Sequence, residues 1–329
     1  MSSAIRLPNR IRCTLLFDSR IEALDAIVRD FARVEEMKSG TIFNVPKNRP
    51  DESAHLENAD QNLALSFEYV SSPPEMTKME TALQSPVTQK LFPDIKSRIA
   101  RSVGHLILEV WLNDNEALSD NQMLTDPEIL ALEQNRFHRR LELLALMSRI
   151  VFDHASPTVV YWAQSDRLFT SEVFDTLAAR PIPSPLHIHP MPFGPKRQAL
   201  DTSPKLTGVR TSGAQHWLGG EVIINPVAQD WQVSFQAILA FITANSSSEH
   251  RTRGYGDVFD PDDHNQRYRI DHASGSNEGK TGPHLLYELV PLDPAAPAMV
   301  QTAHSPKPED NRLSMPNTGG RPVFGRKRT

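Results

Sequence analysis

The sequence predicts an α+β protein, with mixed and antiparallel sheets packed against helices in an order that suggests two similar α+β halves. Three observations carry this. Strand-like and helix-like runs alternate from about residue 11 to residue 244, and then three short strands separated by turn residues suggest an antiparallel meander. The third is composition: 329 residues, 39% hydrophobic and 23% charged, are ample for a sizeable core.

The elements follow in chain order. Ile11 to Phe17 has strand composition, and Asp18-Ser19 supplies capping chemistry for a helix from about Arg20 to Lys38, where Ile21, Leu24, Ile27, Val28, Phe31 and Val34 recur at helical spacing. Gly40 closes that helix and a short strand, 41–45, follows. Residues 46–62 are polar, hold Pro46 and Pro50, lack a period, and read as a loop. Leu63, Leu65, Phe67 and Tyr69 alternate as a half-buried strand requires. Short helices are expected over 75–84 and from Pro86 to about Arg101, and a strong strand over 105–112.

After a polar loop, Asp126-Pro127 reads as a cap and first-turn proline of a long helix reaching His154, with Phe137, Leu141, Leu144, Met147 and Val151 on one stripe. A strand at 157–164 and a helix at 170–179 come next. Leu186 to Pro192 reads as an edge strand because of its prolines. Residues 207–220 read as a glycine-punctuated connection, 221–227 as a strand and 231–244 as a helix. Strands at 254–259, 267–272 and 284–290 complete the ordered part.

Three regions emerge: an N-terminal strand–helix–strand with linker, 1–62; a main α+β region, 63–292; and a proline-rich basic tail, 293–329, expected to be disordered. The tail carries +3 and the whole chain −5, which leaves −8 on residues 1–292. An acidic body argues against a nucleic-acid binder. No run approaches a membrane span and no signal-peptide pattern is present, so neither nucleic acid nor membrane is an expected partner. The lone Cys13 excludes an intramolecular disulfide and fits a cytoplasmic protein.

Candidate chemistry is sparse. His187-Ile188-His189, read as strand, would put two imidazoles on one face, and with an acid such as Asp257 they could hold a divalent metal; solvated edge histidines are the plainer reading. Asp257, Asp260, Asp262 and Asp263 crowd one loop, but their spacing is not that of a calcium-binding hand and an acidic turn explains them. Residues 274–281 end in Gly-Lys-Thr, yet lack the leading glycine of a phosphate-binding loop and precede a strand. Ser212 lies four residues before His216, a weak hint of nucleophilic chemistry. No residue is assigned as catalytic and no cofactor is expected. His216, Trp217, Asp257 and Asp260 are the candidate binding residues.

Residues 63–292 resemble an uncharacterised bacterial family catalogued as a domain of unknown function. The likeness rests on residues 105–110 (HLILEV), 158–163 (TVVYWA), 206–224 (LTGVRTSGAQHWLGGEVII) and 256–259 (GDVF). It implies a compact bacterial α+β protein and supplies no activity, cofactor or catalytic residue; an association with secretion or toxin–immunity systems is what such families suggest. The resulting expectation is a non-enzymatic cytosolic protein-interaction module, an immunity or secretion-accessory factor, with another protein as partner. The alternative is a metal-dependent hydrolase built on His187 and His189.

Overall fold

In the computed structural model, described over residues 7–22, 24–45, 52–113, 127–180, 183–194, 206–246, 255–261, 266–274 and 285–292, two six-stranded sheets share Met1–Pro294 as one unit. The first holds β1 (Arg10–Phe17), β2 (Ser53–Asn58), β3 (Leu63–Val70), β4 (Gly104–Leu112), β5 (Val159–Trp162) and β6 (Arg167–Thr170). Their order is β2-β3-β4-β1-β5-β6, antiparallel throughout. The second holds β7 (His189–Phe193), β8 (Thr207–Ser212), β9 (Gly220–Val227), β10 (Val258–Phe259), β11 (Tyr268–Ser274) and β12 (Leu285–Pro291). Their order is β10-β11-β12-β9-β8-β7, antiparallel except for the parallel pair β9/β12.

The helices are α1 (Leu24–Ser39), α2 (Glu80–Gln84), α3 (Pro86–Leu91), α4 (Ile95–Arg101), α5 (Pro127–His154), α6 (Ser171–Ala178), α7 (Ser184–His187), α8 (Gln215–Leu218) and α9 (Trp231–Ser246). The α+β class is as the sequence predicts. Each sheet repeats one plan: a strand passes through a helix into a three-strand meander whose last strand lies beside the first, as β1-α1-β2-β3-β4 and β9-α9-β10-β11-β12. The returning strand is antiparallel in the first sheet and parallel in the second. Among the described residues, no helix is long and apolar enough to cross a membrane.

The core forms where the predicted stripes meet. β1 is central and buries Ile11, Cys13, Leu15, Leu16 and Phe17, each large aliphatic contributing about 1.5–3 kcal/mol by leaving water. α5 lies across β1 and β4 with Phe137, Leu141, Leu144, Met147 and Val151 all buried, and α1 packs beside it through Ile27, Val28 and Phe31. Glu35 of α1 is fully buried and is held by Arg139 of α5 and by Ser39. Removing one partner of such a buried pair costs about 3–5 kcal/mol, because the other charge is left unpaired.

Several local expectations are corrected. Residues 53–58 were expected in a loop and instead form β2, because Ala54, Leu56 and Asn58 alternate inward once β3 offers a backbone edge. The expected 41–45 strand reduces to one bridge, Asn44 to Glu57. The sequence reading passed over β6, which follows β5 through a tight turn with Asp166 in the left-handed region, its carboxylate accepting from the Tyr161 hydroxyl at 2.8 Å. The 207–220 connection contains β8 and α8. The tail 293–329 and most of the 274–281 loop lie outside the described residues.

The prolines of 183–192 split the expected edge strand. Pro183 and Pro185 start α7, which ends at His187, and β7 begins only at His189. Two groups from the β5–β6 connection fix this piece. The Ser165 hydroxyl donates to the Leu186 carbonyl at 2.6 Å, and the Arg167 guanidinium donates to the carbonyls of Pro185 and Ile188. Arg167 is buried with no ion-pair partner among the described residues, and burial pulls its pKa down to about 9. It thereby fastens the first strand of the second sheet to the last hairpin of the first.

Candidate functional site

Two places in the fold concentrate unusual chemistry: an aromatic cluster around the predicted histidines, and a groove among the short helices.

The cluster is assembled from three elements. α5 supplies Phe137 and His138, the last residue of α7 is His187, and α8 supplies His216 and Trp217. His187 Nε2 lies 2.9 Å from His216 Nδ1. The Phe137 ring meets both imidazoles with centroids 5.1 Å away, and His138 stacks on Trp217 at 4.0 Å. His187, His216 and Trp217 are all buried. His187 Nδ1, His138 Nε2 and Trp217 Nε1 are buried without a hydrogen-bond partner among the described residues. Burial holds the His187 pKa well below its ordinary value, helped by the neighbouring His216 and His138. Burial likewise brings His138 down to about 4, against a weaker hydrogen bond with the His216 backbone.

The segment that presents His216 and Trp217 is stabilised by its own carboxylate. Glu221 on β9 accepts from the Thr211 hydroxyl at 2.6 Å, from the Gly213 amide at 2.9 Å and from the Ala214 amide at 3.2 Å. The turn is an anion nest occupied by a side chain ten residues or fewer from each donor. Burial raises the Glu221 pKa, and these hydrogen bonds work against that rise. Gly213 has φ +102°, and a Cβ there would stand 2.6 Å from the His187 carbonyl oxygen. Glycine is therefore required for the turn to reach the histidine. These residues explain why 206–224 stands out in the sequence: Thr211, Gly213 and Glu221 build a turn, and His216 and Trp217 are its buried cargo.

The predicted metal set is not assembled. His187 ends a helix and His189 begins a strand, so the two do not share a strand face. The rings diverge: His189 Nδ1 is 2.7 Å from the Ser165 carbonyl oxygen, and its Nε2 is 3.2 Å from the Ser85 hydroxyl. Asp257 immediately precedes β10, at the opposite edge of the second sheet from His189 on β7. Five strand spacings separate those edges, roughly 24 Å. Among the described residues no group of three His, Cys, Asp or Glu side chains is arranged to hold a metal ion. Asp257 and Asp260 are exposed beside β10, four strands from β8, and so do not join His216 and Trp217. Ser212 is exposed at the end of β8, whereas His216 is turned into the core.

The groove was not anticipated from sequence. The 3₁₀ turn Met76–Met79, α2, α3 and α4 enclose an open cavity of about 560 Å³. Its floor is apolar, formed by Met76, Leu83, Phe92, Pro93 and Ile95, and Thr77, Glu80, Gln84, Gln89 and Lys96 form the rim. The groove exists because the helical stretch is broken twice: Pro86 restarts the chain after Gln84, and Phe92-Pro93 ends α3 before α4. Three short helices at different angles leave a hollow that one continuous helix would have closed. Lys78 pairs with Glu75, Lys90 with Asp230 and Arg98 with Asp94. Lys96 and Arg101 have no ion-pair partner among the described residues, and Glu80 is bonded by the Gln84 amide at 2.9 Å. The signal available in the sequence was this double proline break combined with exposed cations.

Comparison with known proteins found no matching family model, no matching curated protein and no matching solved structure.

Proposed function

We propose that this chain is a non-enzymatic protein-interaction module that receives an apolar, net-acidic segment of a partner protein in the groove formed by residues 76–96. The carrying observation is the open apolar floor with the Lys96 ammonium, which has no ion-pair partner among the described residues, on its rim. Residues 75–101 carry five cations against three anions, in a chain whose net charge is −5. A partner segment with two or three large apolar side chains and a carboxylate would bury the floor and pair Lys96, which is how interfaces combine an apolar centre with a charged rim. The histidine cluster contributes to this reading by contrast, since its buried rings belong to the packing between α5, α7 and α8. A cytosolic setting, with an immunity or secretion-accessory role, is part of the proposal, and a protein encoded beside this one is the first partner to try.

The test is capture with the full chain and with Leu83→Asp and Lys96→Glu variants, followed by titration of the recovered protein. A stoichiometric partner whose affinity falls at least tenfold with both variants, at unchanged circular dichroism, supports the proposal. A partner indifferent to both variants overturns the groove as its seat. Binding of only a small apolar acid would replace the protein partner with a metabolite.

A further inference from the structure

The second sheet has one face covered by helices and one that carries a row of half-buried and exposed side chains. α8 and α9 pack on β8 and β9 and bury Val209, Val222, Ile224 and Leu289. The opposite side chains form a single row across five strands: Met191 is paired with Arg210, Arg210 with Ile223, Ile223 with Glu288, and Glu288 with Asp271. Met191 is 40% exposed, Arg210 is exposed, and Ile223, Glu288 and Asp271 are half-buried. His189, two residues before Met191 and on the same side of β7, meets Ser85 and Ser165, so the start of α3 and the β5–β6 turn border the row at that end.

Its charges are arranged with a direction. Arg210, one strand to one side of Ile223, makes no ion pair among the described residues. Glu288, one strand to the other side, accepts from the Asn225 amide, feels the charge of Arg269 and makes no ion pair among the described residues. Asp271 beyond it is already neutralised by Arg269, through two hydrogen bonds of 2.9 Å. Strand addition at the sheet edges is discouraged: β7 carries Pro190 and Pro192, and β10 has two residues. The row, rather than an edge, is the candidate contact.

We propose that a second copy of this chain docks on this face through a two-fold axis that runs parallel to the strands and passes over Ile223. Such an axis reverses the row. Arg210 then faces Glu288 of the second copy, Glu288 faces its Arg210, and Ile223 meets Ile223. Sheets packed face to face lie about 10 Å apart, a gap that an arginine and a glutamate reaching toward each other can span. One symmetric contact thus gives Arg210 and Glu288 an ion-pair partner each and covers Ile223.

The experiment is sedimentation velocity and equilibrium on the full chain, with Arg210→Glu, Glu288→Arg and the double reversal. The wild type is expected to dimerise. Each single reversal is expected to weaken the dimer roughly a hundredfold, because two symmetry-related attractions become repulsions of about tenfold each. The double reversal is expected to restore it, since the exchanged row is again self-complementary. A wild type that stays monomeric to millimolar concentration overturns the proposal, as does a dimer unmoved by either single reversal or one that the double reversal fails to restore. Arg210 is exposed, so loss of fold in its variant is not expected, and circular dichroism checks this directly.

Discussion

His187 Nε2 and His216 Nδ1 face each other at 2.9 Å, 29 residues apart in sequence and sealed from water. One nitrogen of the pair must donate and the other accept, so the contact requires at least one neutral ring. A third imidazole, His138, shares the same apolar surroundings. The contact between α7 and α8 therefore depends on at least one of the two imidazoles staying neutral.

A pH dependence follows. In the unfolded chain these imidazoles bind protons near pH 6.5, whereas folded His138 does so only at about 4 and folded His187 well below its ordinary value. Between those limits the unfolded state holds more protons, so stability is fully present above about pH 6.5 and is lost as pH falls. The slope approaches about 1.4 kcal/mol per pH unit for each such histidine. Urea unfolding from pH 7.5 to 4.5 measures it, and His138→Phe should flatten the slope by one proton.

Glu221→Ala should destabilise the 211–215 turn. It leaves the Gly213 and Ala214 amides without their acceptor and the Thr211 hydroxyl with only the Val222 carbonyl, at a cost of about 2–4 kcal/mol. Hydrogen exchange should accelerate first at Gly213 and Ala214. Gly213→Ala should act by another route: the left-handed φ and the clash with the His187 carbonyl push that residue away, and the two variants together should cost less than their sum.

Arg167→Met should separate the two sheets more than it unfolds either one. The guanidinium's hydrogen bonds to Pro185 and Ile188 vanish, and their buried carbonyls go unpaired, which costs about 2–4 kcal/mol. Arg167→Lys should rescue part of the loss, because a single nitrogen, Nη1, donates to both carbonyls and an ammonium carries donors enough for two. Limited proteolysis near residue 183 reads this out alongside thermal unfolding.

Cys13 is buried in β1, where burial pushes its thiol up to about 12. It should resist alkylation at neutral pH until the sheet opens. Its labelling rate in increasing urea should track global unfolding. Rapid labelling of the native chain would contradict the packing of β1 under α5.

The α5 stripe, the strand at β1 and the helix at α9 were legible because each has a strong local period. β2 was not, since its three inward residues gain meaning only beside β3. His187 and His189 were misplaced because local β-propensity could not weigh what Ser165 and Arg167 do to the intervening backbone. The distinctive 206–224 segment was visible as a pattern, although its logic, a carboxylate filling the turn it follows, appeared only in three dimensions.

The sequence by itself determined the α+β class, the acidic balance and the single thiol, because composition and short-range periodicity suffice for these. Tertiary structure decided which histidines meet, where the short helices leave a groove and which side chains line up across the second sheet. Those depend on contacts between residues tens of positions apart, whose free energy arises only once the backbone brings them together.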